Sequence, residues 1–202
     1  MSPSTLKYYR VVLGLLGLSA VITEIVVLSD RGVFTPSNFF SYFTILSNIV
    51  AGLWLIWYGL RPRERSFPTQ LMRGGVTLCM LMTGVIFAIL LAPVEGLTLT
   101  ATSWDNIVLH YIMPVTVAAD WLLWRPKVRI SRRQSLLWLA FPVAYVGYAL
   151  MRGALIDRYP YPFLDATEHG YVQIGLTLAV LLIGIALGSI FLARFARPKR
   201  RA

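Results

Sequence analysis

Apolar residues along this chain gather into six long runs, at about Tyr9–Leu28, Phe39–Leu60, Leu71–Ala92, Trp104–Trp124, Ser135–Met151 and Tyr171–Ala193, separated by short polar, basic or proline-containing segments. A helix needs roughly 20 apolar residues to cross the hydrocarbon of a bilayer. The pattern therefore predicts an all-α polytopic membrane protein, with residues 1–202 forming a single bundle of six spanning helices. The fifth run is the shortest and carries Pro142, so its ends are the least defined by pattern. Lys7 and Arg10 precede the first run as they would in a signal peptide, but about twenty apolar residues exceed a signal core and no A-x-A site follows. The first run reads as a retained helix. No heptads, low-complexity tract, soluble domain or internal repeat interrupts the series.

Composition agrees with this class: 57% of residues are hydrophobic and 14% charged, against about half and a quarter in soluble domains. A formal net charge of +10 would suit nucleic acid, yet the basic residues lie between apolar runs, not along one face. They predict topology, and no nucleic-acid partner. The start of the chain, the second and fourth loops and the tail hold sixteen of the nineteen Lys and Arg; Arg31, Arg152 and Arg158 are the remainder. By the positive-inside rule both termini face the cytoplasm, with attraction to anionic lipid as a secondary effect. The single cysteine, Cys79, leaves no intrachain disulfide and reads as a buried, inert thiol.

The polar residues inside the runs carry the chemistry. His110 lies within the fourth run, where an ionisable group is costly and points to a functional site. Thr44 lies about five residues into the second run and His110 about six into the fourth; both runs enter from the outer face. At 1.5 Å per residue each is roughly 8–9 Å below that end. Glu24 and Arg152 come near the same level. Ser41, Thr44 and Asn48 follow i, i+3, i+7 spacing and share one helical face. The alternative for Thr44 is a bond to the Phe40 carbonyl, as spanning threonines often make; for His110 it is a bond to a neighbouring helix. Pro114 deprives the His110 carbonyl of its helical donor and predicts a kink there, while Asn106, one turn earlier, can orient the ring. Asp120 is expected to form a salt bridge with Arg125 near the inner end. The loop MRGALIDRYPYPFLDATEHGY, residues 151–171, is stiffened by two Tyr-Pro pairs. It reads either as a cap over an outward pocket or as an interfacial turn.

A threonine hydroxyl is a weak nucleophile and needs a base within hydrogen-bond reach, which a neutral histidine supplies. This suggests acyl transfer with Thr44 as nucleophile, His110 as base, and Asn48 or Arg152 as donors to an oxyanion. The substrate would be a lipid ester entering from the membrane. A metal set of His110, Asp165 and His169 is the weaker alternative, because catalytic zinc usually takes three protein ligands and these are the only two histidines. No Walker A, GxGxxG, HExxH or GxSxG element is present, so no cofactor is called for. A non-catalytic lipid-binding protein and a small transporter remain the alternatives outside enzymes.

Three segments carry a resemblance: Phe39-Phe-Ser-Tyr-Phe-Thr-Ile-Leu-Ser-Asn48; Leu109-His-Tyr-Ile-Met-Pro114 followed by Asp120-Trp-Leu-Leu; and Arg152-Gly…Tyr159-Pro-Tyr-Pro-Phe-Leu-Asp165. They are similar to the bacterial branch of the androgen-induced (FAR-17a-like) membrane proteins, over nearly the whole chain. The resemblance implies six membrane helices and a threonine hydrolase acting on branched fatty-acid esters of hydroxy fatty acids. It implies Thr44 as nucleophile and His110 as its partner; the substrate-binding or supporting candidates read from the residues themselves are Ser41, Asn48, Asn106, Arg152, Asp165 and Glu24. A more remote relative is a cysteine acyltransferase, so a lipid acyltransferase is a further alternative.

The sidedness is testable with reporter fusions. Reporters placed after Arg63 or at Ala202 stay cytoplasmic and those placed after Arg31 or Arg158 are exported; export after Arg63 would overturn the six-span topology.

Overall fold

The computed structural model describes residues 2–61, 64–97 and 99–196, so the basic residues Arg63, Arg197, Lys199, Arg200 and Arg201 lie outside the described residues. Every regular element among these residues is helical, and six stretches are long and apolar enough to cross a membrane. The first is α1 (Pro3–Asp30). A short α2 (Pro36–Phe39) precedes the second, α3 (Phe43–Leu60). The third is α4 (Phe67–Ile86), continued by a π-helical turn at Phe87–Leu91. The fourth joins α5 (Ser103–Ile107), a π-helical turn at Val108–Ile112, and α6 (Met113–Leu123). The fifth joins α7 (Arg132–Ser135), a 3₁₀ turn at Leu136–Leu139, and α8 (Ala140–Ile156). The sixth is α9 (Ala166–Ala193).

The fifth span is the longest departure from the expected bounds: it starts at Arg132 and runs to Ile156. A Ser131/Gln134 capping box opens it, and Pro142 sits in the first turn of α8, where a proline's missing N–H costs little. The sixth span was expected from Tyr171, and regular helix does resume there. Gly170 takes φ 71°, a conformation only glycine adopts cheaply, and separates one turn capped by Asp165 from the long helix.

The second run is not one helix. After α2 the backbone turns through Phe40–Tyr42, with Tyr42 extended (φ −84°, ψ 129°), and α3 begins only at Phe43. Ser41 therefore leaves the face expected to carry Ser41, Thr44 and Asn48. Its hydroxyl donates to the Asn38 carbonyl at 2.6 Å.

Tight packing joins the first four spans. The carbonyl of Gly52 approaches Gly14 so closely that a Cβ at residue 14 would lie 2.6 Å from it, the small-residue contact that lets membrane helices meet. The ring of Pro114 lies against Gly84 in the same way. The last two spans are looser: Gly147, Gly175 and Gly184 face open space, and most of α9 is exposed.

At one end of the bundle Arg10, Arg73 and Asp120 form a buried knot. Arg10 Nε donates to Asp120 Oδ1 at 2.8 Å, and Arg73 Nη2 to Asp120 Oδ2 at 2.8 Å and to the Asp120 carbonyl at 2.6 Å. The Arg10 guanidinium lies 4.2 Å from the Tyr58 ring centroid. The expected partner of Asp120 was Arg125. Arg125 instead is exposed and lies over the Phe195 ring, while α1 and α4 bring two arginines to the carboxylate from other helices. Removing one partner of a buried pair strands the other's charge and costs about 3–5 kcal/mol. Asp120→Ala is expected to lower the melting temperature of the detergent-solubilised protein sharply, and Arg125→Ala to leave it near that of the unaltered protein.

Candidate active site

The start of α3 sets the site's first component. A helix that begins inside a protein leaves its first amides without helical acceptors. Tyr145 of α8 accepts from the Phe43 N–H at 3.2 Å and donates to the Ser41 carbonyl at 2.9 Å, bridging the break. Tyr161, from the loop between the fifth and sixth spans, accepts from the Thr44 N–H at 3.3 Å. Thr44 is thus in the first turn of its helix, at the positive end of the helix dipole. The alternative bond to the Phe40 carbonyl does not form, because Phe40 lies outside α3.

The fourth span supplies the second component. Its π-helical turn, Val108–Ile112, ends just before Met113–Pro114, so the backbone opening expected from Pro114 takes the form of a widened turn around His110. Such π turns are frequent at functional sites. The His110 ring stacks on Phe87, centroids 4.0 Å apart, and Phe87 itself opens the π turn of the third span. Asn106 lies one turn back, and its Oδ1 is 2.7 Å from His110 Nδ1. An amide oxygen only accepts, so Nδ1 carries the proton and Nε2 of the neutral ring carries the lone pair.

Thr44 Oγ1 lies 3.3 Å from His110 Nε2. The hydroxyl and imidazole that sequence placed at matched depth are in direct contact, both buried. Asn48, a turn beyond Thr44, donates Nδ2 to the Thr44 carbonyl at 2.9 Å and to the Leu109 carbonyl at 3.2 Å. It ties the two helices together at this level and does not offer its amide to the cavity.

Thr44 and Tyr161 stand on the wall between two cavities. One, of about 170 Å³, is apolar and lies among the third, fifth and sixth spans, lined by Phe87, Leu91, Val143, Val146, Phe163, Leu178, Leu182 and Ile185 as well as Thr44 and Tyr161. The other, of about 250 Å³, is polar and is lined by Thr44, His110, Tyr161, Glu24, Arg31, Thr35, Asn38 and Thr100, among others.

The remaining expected site residues separate into those at this cavity and those beside it. Glu24 lines the polar cavity, and its Oε2 accepts from the Ala101 N–H at 2.7 Å, while Arg31 Nη2 donates to the Ala101 carbonyl at 3.1 Å. Together they clamp the segment leading into α5. Arg152 lines neither cavity; it donates to the Arg158 carbonyl at 2.9 Å and to Asn38 Oδ1 at 3.4 Å, pinning the loop. Asp165 caps α9 through the Thr167 N–H and hydroxyl, which hold its carboxyl below the usual range. His169 is exposed, and no three His, Cys, Asp or Glu side chains among the described residues gather as metal ligands. Cys79 is buried and unbonded.

Three residues were not foreseen individually. Tyr145 and Tyr161 cap the start of α3, and the Tyr-Pro-Tyr-Pro spacing was the only signal for the second. Arg31 is the cation at the polar cavity, signalled only by being one of three basic residues outside the majority group. The loop does cover the site: Tyr161, Phe163 and Leu164 line the apolar cavity, and Tyr159 fills the space above Gly153. No family model matches the chain, and neither does any curated protein or solved structure.

Proposed function

We propose that the protein is a membrane-embedded lipid ester hydrolase in which Thr44 is the nucleophile and His110 the general base. The observation that carries this reading is the Thr44 Oγ1–His110 Nε2 contact of 3.3 Å, with Nδ1 held by Asn106. A hydroxyl, a base and a group orienting the base form the arrangement that activates weak nucleophiles. The likeness of the three sequence segments to FAR-17a-like threonine hydrolases points the same way.

His110 Nε2 takes the hydroxyl proton as Thr44 Oγ1 attacks the ester carbonyl, whose π pair moves onto oxygen. Collapse of this intermediate breaks the bond to the leaving alkoxide, which takes the proton from His110 and leaves the acyl group on Thr44. Water, losing a proton to His110, then attacks the acyl carbon. Collapse expels the Thr44 oxygen, which regains its proton, and the fatty acid departs. An alcohol in place of water in the second half gives acyl transfer from the same intermediate.

The two cavities orient the substrate. The acyl chain occupies the apolar cavity and the alcohol half the polar one, so the scissile ester lies at Thr44. The role of holding an anion on the alcohol half passes from Arg152 to Arg31, since Arg31 lines the polar cavity. The positive-inside distribution puts both termini on the cytoplasmic side of the cytoplasmic membrane and this cavity toward the outer leaflet.

Two measurements test the reading. A fluorophosphonate probe should label the purified protein, and labelling should vanish in Thr44→Ala and fall by orders of magnitude in His110→Ala. Labelling that survives Thr44→Ala names another nucleophile, and no labelling with no turnover of lipid esters returns a lipid-binding protein. With an ester whose alcohol half bears a carboxylate, Arg31→Ala should raise KM by about 10–100-fold, the worth of one charge-assisted hydrogen bond. Arg152→Ala should leave KM near its original value.

A further inference from the structure

The hydrolase reading leaves the developing oxyanion without a donor, since the Asn48 amide is spent on two carbonyls and Arg152 lies outside both cavities. We propose that the Tyr161 hydroxyl is that donor, a catalytic residue delivered by the loop between the fifth and sixth spans. The proposal rests on the Thr44/His110 mechanism.

Hydrogen-bond accounting leads to Tyr161. A phenol has one proton to give and two lone pairs. One lone pair of Tyr161 accepts the Thr44 N–H at 3.3 Å. The Tyr161 oxygen also lies 3.4 Å from Thr44 Oγ1. In the reactive arrangement the Thr44 proton is directed to His110 Nε2, so Tyr161 is the donor in this contact. Burial pushes the Tyr161 phenol above its ordinary pKa, so it keeps that proton.

Position supplies the second argument. Thr44 and Tyr161 are the two residues that line both cavities. An ester reaching from the apolar cavity into the polar one passes between them, which brings its carbonyl against both hydroxyls. As Thr44 Oγ1 bonds to carbon, it ceases to be a good acceptor and negative charge builds on the carbonyl oxygen next to it. The Tyr161 O–H then turns from Thr44 to the oxyanion with no other bond broken. The start of α3 adds its positive end at the same place.

The loop is built to hold this hydroxyl still. Tyr161 stacks on Phe163 with centroids 5.3 Å apart and meets Tyr42 edge-on at 5.7 Å. Arg152 ties the loop back to Asn38. A donor fixed before reaction is what makes such stabilisation effective.

The test compares Tyr161→Phe with Tyr145→Phe, using a p-nitrophenyl ester of a medium-chain fatty acid and reading kcat and KM separately. Both variants remove one hydroxyl that caps an amide of the same helical turn, but only Tyr161 touches Thr44 Oγ1. Tyr161→Phe should lower kcat by about 10²–10³-fold, the usual loss for one oxyanion donor, with KM changed by less than about threefold. Tyr145→Phe should lower kcat by less than about tenfold, with a comparable shift in melting temperature. A folded Tyr161→Phe protein with near-original kcat overturns the proposal, as do equal losses in the two variants. If the unaltered protein turns over no ester and its probe labelling is independent of Thr44 and His110, the hydrolase reading fails and this proposal with it.

Discussion

An unpaired buried amide costs several kcal/mol, and the first two amides of α3 have no helical acceptor. Everything about the site follows from how those donors are met. The acceptors come from residues more than a hundred positions later, Tyr145 in the fifth span and Tyr161 in the loop beyond it. The start of α3 is therefore completed by the last third of the chain. The same requirement draws a phenol to the backbone of Thr44 and leaves Thr44 at the positive end of a helix.

The fourth span meets a matching demand from the other side. Pro114 cannot bond the His110 carbonyl, and the backbone answers by widening into a π turn, which alters the angle at which His110 leaves the helix. Phe87, at the π turn of the third span, supplies the flat surface against which the ring rests. Asn48 fixes the distance between the two helices by bonding a carbonyl on each. At the opposite end the Arg10–Asp120–Arg73 knot joins the first, third and fourth spans, so the frame holding the dyad is fastened at both ends.

Spans and dyad were legible because each depends on a property that sequence displays directly: run length for the helices, and a polar group in an apolar context for Thr44 and His110. Matched depth led to the right contact even though the helix boundary was misplaced. Thr44 is the second residue of α3, not one deep in a continuous helix, and the short α2 with its turn occupies the missing length. The break at Phe40–Tyr42 was hidden because aromatic residues on both sides of Ser41 extend the apolar run across it. Asp120 was paired with Arg125 by proximity along the chain; the actual partners arrive from helices whose adjacency no local pattern encodes. Arg152 was expected at the pocket but lines neither cavity, while Arg31 lines the polar one, because depth along a helix is readable and neighbourhood is not.

Close packing in the first four spans and slack packing in the last two divide the molecule into parts with different freedom to change. Gly147, Gly175 and Gly184 face open space, so side chains can grow there without collision. The fifth- and sixth-span residues that line the apolar cavity, Val143, Val146, Leu178 and Leu182 among them, are separate from Thr44, His110, Asn106 and Asn48, so they can be exchanged without touching the Thr44–His110 contact. Substitutions on the fifth and sixth spans could thus reshape that cavity while the contact persists. The one exception is the loop that joins them, where Tyr161 binds the evolving wall to the unchanging centre.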